Sequence, residues 1–539
     1  MNTATSTVFG RQKHNYIKTD GIKMENKQIA DTSKLTRFEL VFLILAATLT
    51  ITVVSACSPL YPFNPWDDVN VFLVLGRGII HGKVPYRDLF DHKGPLLHFI
   101  YALAALISER SFTGVWIIEC ILASVYSVFS WKIVKLYAET KKYHIVLMVL
   151  FLGLIYSLGI FNFGGNAEEL CFPFLTVILY FGLKAIVSGD GLPKNNEAVI
   201  CGVLAGVLFW IKYSFLGFVI GFCIYILFLT IKRKDFKRLW SLVWRFLLGF
   251  ILISVPILAF FLFNNSLSYL GDAYFRVNLF LYHQTSAPGL AGIPVIKNIY
   301  IPIACTAFTI KTDYIFGILL LLSTISLFFI GKKQRKKTIA LLLIAFVFSE
   351  CMIFSKRTFI YYYGLILCYG FCMGLIPCVG LLNKLEKMYK KDPRFIPVLS
   401  SVVLVALYFF SLVNSKNMYL IFRSKQILPQ FQLAETISKT PDAKVLIYDT
   451  IDGGYYTAAG ILPANRYFCF LNIEDNYPDI LEEQDRLIKE GYFDYIITTY
   501  YFEENWDNYE FVQEAAGTYV NYDRTSYYEG FKLYKRVQE

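Results

Sequence analysis

Asp67, Asp68, Arg77, Lys83, Arg87, Asp88, Asp91, His92 and Lys93 crowd into one stretch, PWDDVNVFLVLGRGIIHGKVPYRDLFDHKGPLLHFI. Carboxylates, an imidazole and ammonium groups at that density suit proton transfer beside an anion site. If Asp68 to His81 forms a helix lying on a membrane, Phe72, Leu75 and Ile79 share a face with Asp68 at 3.6-residue spacing. The carboxylate then sits at an apolar boundary, and a partly desolvated carboxylate is a better base. Gly76, Gly78, Gly82 and Gly94 with Pro85 and Pro95 punctuate the stretch into helix, turn and helix, a rigid shelf for those side chains. His81, His92 and His98 are not accompanied by a zinc-type ligand set and read as surface or interface histidines.

The elements that must position these residues are membrane helices. A chain of 539 residues that is 56% hydrophobic, 17% charged and has a mean hydropathy of +0.48 is too apolar for a water-soluble protein of this size. The net charge of +11 is spread in short clusters between apolar runs, which excludes a nucleic-acid surface and reads as topology signal. Of eleven cysteines only Cys469 lies in the polar tail, so no disulfide framework or zinc spacing is available there. Apolar runs near 39–57, 113–136, 144–161, 169–187, 197–211, 213–231, 240–263, 313–331, 338–355, 359–382 and 395–414 predict about eleven transmembrane helices.

Orientation follows from the basic residues. The first 38 residues are polar and carry seven Lys or Arg, too hydrophilic a lead for a cleavable signal peptide, so this tail is expected in the cytoplasm. Placing the short segment 94–107 in the interface rather than across the bilayer puts 29 of the 52 Lys and Arg on the inner side. The expected fold is an all-α polytopic membrane domain over 39–414, N-terminus in and C-terminus out, with outer-face juxtamembrane helices and two long outer loops, 58–112 and 264–312. A small extracytoplasmic α/β domain follows over 425–539, with β runs Val445 to Tyr448 and Tyr495 to Thr499 and helical stretches Leu481 to Glu490 and Phe511 to Ala516. Asp449 and Asp452, after the first β run, read as an ordinary strand-end loop.

The order of an early Asp, a Phe four residues on, a Gly82 to Tyr86 turn ending in Pro-Tyr, and a Lys-Gly-Pro-Leu helix start at Lys93 resembles membrane glycosyltransferases of the glycosyltransferase C superfamily. The resemblance is to the bacterial branch related to protein O-mannosyltransferases and lipid A aminoarabinose transferases, and covers roughly residues 39–385. It implies an enzyme of the bacterial cytoplasmic membrane that moves a sugar from a polyprenyl-phosphate donor to an extracytoplasmic glycan, glycolipid, teichoic acid or protein. The catalytic Asp of the family falls on Asp68, with Asp67 as the neighbouring alternative, and its implied role is general base in an inverting displacement.

The second acidic position of the family falls on Glu168 or Glu169 in FGGNAEEL. The sequence departs there from the Asp-rich versions that use a metal, which leaves a divalent cation such as Mg or Mn open. Lys93, Lys212, Lys356 and Arg357 are candidates for the donor phosphate, because a leaving phosphate in a low-dielectric interface needs cations. Tyr86, Asp91, His92 and Tyr362 are candidate substrate-lining residues, and loop 264–312, with Arg276, Tyr282 and His283, is expected to order on donor binding. Each has a plainer reading too: Lys212 as a snorkelling side chain, the basic pair as lipid contacts, the glutamates as helix N-terminal acids. The alternative functions are a polyprenyl-linked glycan polymerase or ligase, and a lipid or glycan flippase.

Overall fold

A computed structural model describes residues 33–282, 296–353, 360–389, 391–502, 506–520 and 525–537. Each of the eleven apolar runs is helical. The membrane part begins with α1 (Arg37–Val54), which Thr36 and Glu39 open with a reciprocal capping box. Then come α2 (Asp67–Ile80), α3 (Pro95–Ile107), α4 (Thr113–Tyr137), α5 (Ile145–Tyr156), α6 (Ala167–Val187), α7 (Asn195–Lys212), α8 (Leu216–Lys232) and α9 (Phe236–Phe263). It ends with α10 (Ile296–Thr312), α11 (Tyr314–Phe329), α12 (Lys332–Ile353), a tight helix Tyr361–Gly374 running into α13 (Leu375–Met388), and α14 (Phe395–Val413).

Among the described residues seven helical stretches are long and apolar enough to cross a membrane, or eight if α10 and α11, bent by 117° at Asp313, make one span. This count differs from the eleven expected for physical reasons: α5 is short, α12 starts on five Lys and Arg, and 195–232 runs on as one stretch of 38 residues. The protein is an integral membrane protein. Its exposed leucines, isoleucines, valines and phenylalanines along α1, α9 and α14 are the lipid-facing side chains such a protein requires. Small residues bring helices together. A Cβ on Gly202 would stand 1.9 Å from the carbonyl oxygen of Phe246, so α7 and α9 touch backbone to backbone.

Helix α2 forms where the spacing predicted, but it does not lie with one wet face on a bilayer. Residues 69–78 are all buried, Phe72 stacks edge-on against Tyr101 of α3, and the Cβ of any residue replacing Gly76 would meet the Tyr101 backbone at 2.4 Å. The apolar boundary beside Asp68 is protein.

The C-terminal part is a four-stranded sheet in the order β1-β2-β4-β3: β1 (Val445–Ile447), β2 (Tyr495–Thr499), β3 (Tyr509–Val520) and β4 (Ser526–Arg536). The first pair is parallel and the others antiparallel. Both predicted β runs and the helix Asp479–Lys489 are present, but Phe511 to Ala516 is strand, not helix. Its partner decides this, because Ala515 pairs with Phe531 and Glu514 with Lys532 in a long hairpin that local propensity does not foresee. One face of the sheet packs through Pro429–Ile437 and Tyr455–Ala459 onto α2, where Arg77 donates to the carbonyl of Tyr456. All eleven cysteines are free.

Candidate functional site

The site is assembled at the start of α3. Gly94 donates its N–H to the carbonyl of Ile211 at 3.0 Å, and a Cβ there would stand 2.1 Å from the carbonyl oxygen of Trp210. Only glycine permits that approach. It seats Lys93 against the α7–α8 corner, where the short turn Tyr213–Phe215 breaks the helix and turns Lys212 inward. Lys93 and Lys212 line one small cavity together with His92, Tyr213, Asn278, Tyr282 and Tyr363.

Asp68 stands at the edge of this cavity, partly exposed. It accepts from the Tyr362 hydroxyl at 2.9 Å, and one oxygen lies 3.9 Å from the Lys93 ammonium. Trp66 packs edge-on against the Tyr362 ring. Burial works to lower the proton affinity of Lys93, but the carboxylates of Asp68 and Asp91 outweigh it and hold the ammonium above the ordinary lysine range. Lys212 bonds the buried Glu168 carboxylate at 2.7 Å, and its ammonium sits 3.7 Å above the Tyr363 ring, a cation–π contact.

The structure separates the adjacent acids. Successive helical residues diverge by about 100°, so Asp67 points away from the cavity toward the C-terminal domain, with Gly453 beside it. Burial and the charges of Glu529, Asp68 and Asp452 raise the Asp67 carboxyl well above its usual range. Glu169 likewise leaves the cavity. Asn166 caps α6 by accepting from the Glu169 N–H at 2.6 Å, the Glu169 side chain accepts from Gly165 at 2.8 Å, and it meets Glu119 of α4 in the interior. The turn before it needs left-handed residues at Gly164 and Gly165, whose φ are 84° and 79°. Ser55 donates to both Glu119 oxygens.

Tyr86 and Asp91 are not lining residues but the interior of the loop. Tyr86, at φ 68°, donates to the Lys93 carbonyl at 2.7 Å and stacks on Phe261. Asp91 is buried against His98 at 2.8 Å and accepts from the His92 N–H at 2.7 Å. Burial alone raises its proton affinity, but the His98 bond and the charges of His98, Lys93 and His92 hold the carboxyl below its usual range. The expectation of surface histidines therefore holds only for His81, which is exposed and bonded to Glu109; His92 and His98 are buried. His92 itself does line the cavity, its ring 4.9 Å from that of Tyr282. Arg276 pairs with Asp272 on the wide helix Gly271–Leu281, so this part of loop 264–312 is ordered. His283, Lys356 and Arg357 lie outside the described residues.

Asp452 is no ordinary loop residue. It is fully buried, accepts from the N–H groups of Gly454 and Tyr455 at 2.8 Å, and is pushed up to about 6 by burial. Sequence reasoning missed Asn278, which donates to the His92 carbonyl; the aromatic run ending at Tyr363 reads as a site lining in the sequence, and the structure adds that Tyr363 lies under Lys212. Nothing in the local pattern marks Asn278. Asp68 faces an ammonium and a hydroxyl donor, and Glu168 an ammonium. Among the described residues no group of three or more His, Cys, Asp or Glu is arranged to share one ion.

Residues 92–259 match the family model of dolichyl-phosphate-mannose-protein mannosyltransferases, a span that opens on His92 and Lys93 and includes Glu168 and Lys212. Among solved structures, the chain is similar to ArnT from Cupriavidus metallidurans bound to undecaprenyl phosphate, with a TM-score of 0.51 and 10% identity over 92% of this chain and 97% of that one. The family match covers just under a third of the chain. At 10% identity the structural likeness shows the fold, and it extends well beyond the family match. No curated protein matches the chain. Lys93 and Lys212 share one cavity, and each carries a carboxylate partner, Asp68 at 3.9 Å and Glu168 at 2.7 Å.

Proposed function

We propose that the protein transfers a sugar from a polyprenyl-phosphate-linked donor to an acceptor hydroxyl on an extracytoplasmic glycan, glycolipid, teichoic acid or protein. The observation that carries this reading is the Asp68 carboxylate, held between the Lys93 ammonium and the Tyr362 hydroxyl at the edge of a cavity walled by a second lysine. The family model and the lipid phosphate bound to ArnT support it.

The donor phosphate enters between Lys93 and Lys212, and Lys93 exchanges its Asp68 partner for a phosphate oxygen. Glu168 keeps Lys212 aimed at the cavity. The freed Asp68 carboxylate takes the proton of the acceptor hydroxyl as that oxygen bonds to the anomeric carbon. The bond from the anomeric carbon to the phosphate oxygen breaks on the opposite face, so polyprenyl phosphate leaves and the centre inverts. The two ammonium groups stabilise the charge that grows on the leaving phosphate in a water-poor cavity. No step uses a metal.

Mass spectrometry of envelope glycans tests the reading in wild type, a deletion strain, and that strain carrying Asp68→Asn or Asp67→Asn at matched expression. Deletion should remove one sugar, Asp67→Asn should restore it, and Asp68→Asn should not. Full restoration by Asp68→Asn would remove Asp68 as the base and favour a polymerase or flippase.

A further inference from the structure

The loop that leads to Lys93 is gripped at two points by one residue of the C-terminal domain. Arg466, partly buried, accepts the Phe90 N–H at its carbonyl at 2.9 Å and donates from Nε to the Tyr86 carbonyl at 2.8 Å. Between those points the turn closes on itself, with the Tyr86 N–H on the Leu89 carbonyl at 2.7 Å. Three rings surround the guanidinium, their centroids 4.8 Å away at Tyr467, 5.1 Å at Tyr269 and 5.2 Å at Phe90. The segment carrying Arg466 is itself tied to the sheet domain. The Phe468 carbonyl accepts from Ile447 of β1 at 3.2 Å, and Gln484 of the helix Asp479–Lys489 donates to the Tyr467 carbonyl at 2.8 Å.

Arg466 holds the backbone of Tyr86, and the far end of Tyr86 holds Lys93. Tyr86 has φ 68°, a left-handed conformation that side chains rarely adopt. In it the carbonyl meets Arg466 while the hydroxyl donates to the Lys93 carbonyl at 2.7 Å. The phenol between them has no slack, being fully buried, stacked on Phe261 and edge-on to His98. A shift of the Tyr86 backbone is therefore passed on to Lys93. A second tether reaches the neighbouring residue. Tyr477 stacks on Phe90 at 5.3 Å and donates to Asp272 at 2.8 Å, on the helix that carries Asn278, and Asn278 donates to the His92 carbonyl. Docking of the domain onto α2 is made elsewhere, through Tyr455–Ala459, so the Arg466 contact serves the loop.

We infer that Arg466 is a positioning residue for Lys93: acting through Tyr86, it sets where the ammonium stands, and the C-terminal domain is thereby part of the cavity's construction. That Lys93 meets a donor phosphate rests on the proposed reaction; its placement by Arg466 does not.

Two variants of matched length separate the bond from the packing. Arg466→Gln puts an amide N–H where Nε lies, and Arg466→Met has the same reach with no donor. Both lose the guanidinium–ring contacts and keep the backbone bond to Phe90, so a difference between them reports the bond to Tyr86. Hydrogen–deuterium exchange of the full-length protein in detergent, read on a peptide over 91–97, should rise about tenfold in Arg466→Met and stay within about threefold of wild type in Arg466→Gln. Binding of undecaprenyl phosphate in the same detergent should weaken about tenfold in Arg466→Met, about as much in Tyr86→Phe, and no further when the two are combined. Arg486→Ala, an exposed residue of the same domain paired with Glu483 and Glu490, should change neither readout. Equal exchange over 91–97 in wild type and Arg466→Met would overturn the inference, as would losses from Arg466→Met and Tyr86→Phe that multiply. Raised exchange in a protein whose wild type binds no undecaprenyl phosphate would keep the positioning and defeat the polyprenyl-phosphate reading.

Discussion

The position of Lys93 depends on one glycine, and Gly94→Ala measures that dependence. The added methyl would start 2.1 Å from the carbonyl oxygen of Trp210 and 2.6 Å from that of Ile211. Both obstacles are backbone, so neither can rotate away. Restoring a 3.0 Å separation moves the Lys93–Gly94 turn off the α7–α8 corner by about 0.9 Å and strains the Gly94 N–H bond to Ile211. Overpacking of this kind costs about 1–3 kcal/mol, and weakening the buried bond about 1 kcal/mol more. The protein should therefore still fold, with a lower melting temperature. Activity should suffer more than stability, because a shift of about 1 Å in a charged group at a reacting centre costs about a hundredfold. Gly82→Ala is the control: Gly82 has φ 81° with no atom within 4 Å of the added carbon, so its cost of about 1–2 kcal/mol is conformational and leaves Lys93 in place. Both variants would be assayed for sugar transfer from a lipid-linked donor, normalised to folded protein by a thermal melt. If Gly94→Ala keeps activity within threefold of Gly82→Ala, the backbone contact does not set the position of Lys93.

Transfer activity should persist in excess EDTA, since each site acid already faces an ammonium; loss restored by Mg or Mn would refute that. Asp452 makes the folded protein bind a proton more tightly than the unfolded chain, its value rising from 3.8 to about 6. Its contribution therefore favours folding at low pH and is lost as pH rises through that window, by at most about 3 kcal/mol. Asp452→Asn should raise the melting temperature at pH 7 and flatten its decline between pH 4 and 6; Arg77, its nearest opposing charge, limits the gain. Glu169→Gln should fold as wild type, because the amide oxygen accepts from Gly165 and the amide donates to Glu119, while Glu169→Ala should lose several degrees of melting temperature. Equal melting of the two variants would show that the carboxyl pair contributes nothing to packing.

The membrane class, the eleven helical runs and helix α2 were legible in the sequence, because hydrophobic length and 3.6-residue periodicity are local properties. So was the crowding of acids and bases before Pro95; the resemblance carried Asp68 or Asp67 and Glu168 or Glu169 as candidates, and the need for cations beside a leaving phosphate carried Lys93 and Lys212. Which members of that crowd share a cavity was not legible. Asp67 and Asp68, or Glu168 and Glu169, are chemically alike and adjacent, and only the packing of each helix face decides which acid meets a lysine and which meets Glu529 or Glu119. Tyr86 and Asp91 looked like site residues because they are polar and near Lys93, yet the fold uses them inside the loop. Phe511 to Ala516 looked helical because its partners lie well outside a local window, from Gly530 opposite Ala516 to Tyr534 opposite Phe511. Composition and spacing thus determined what kind of protein this is and which side chains were available. The site itself was decided by tertiary contacts, chiefly the backbone approach at Gly94 and the break after Lys212, because a sequence pattern records the side chains and not the distances between them.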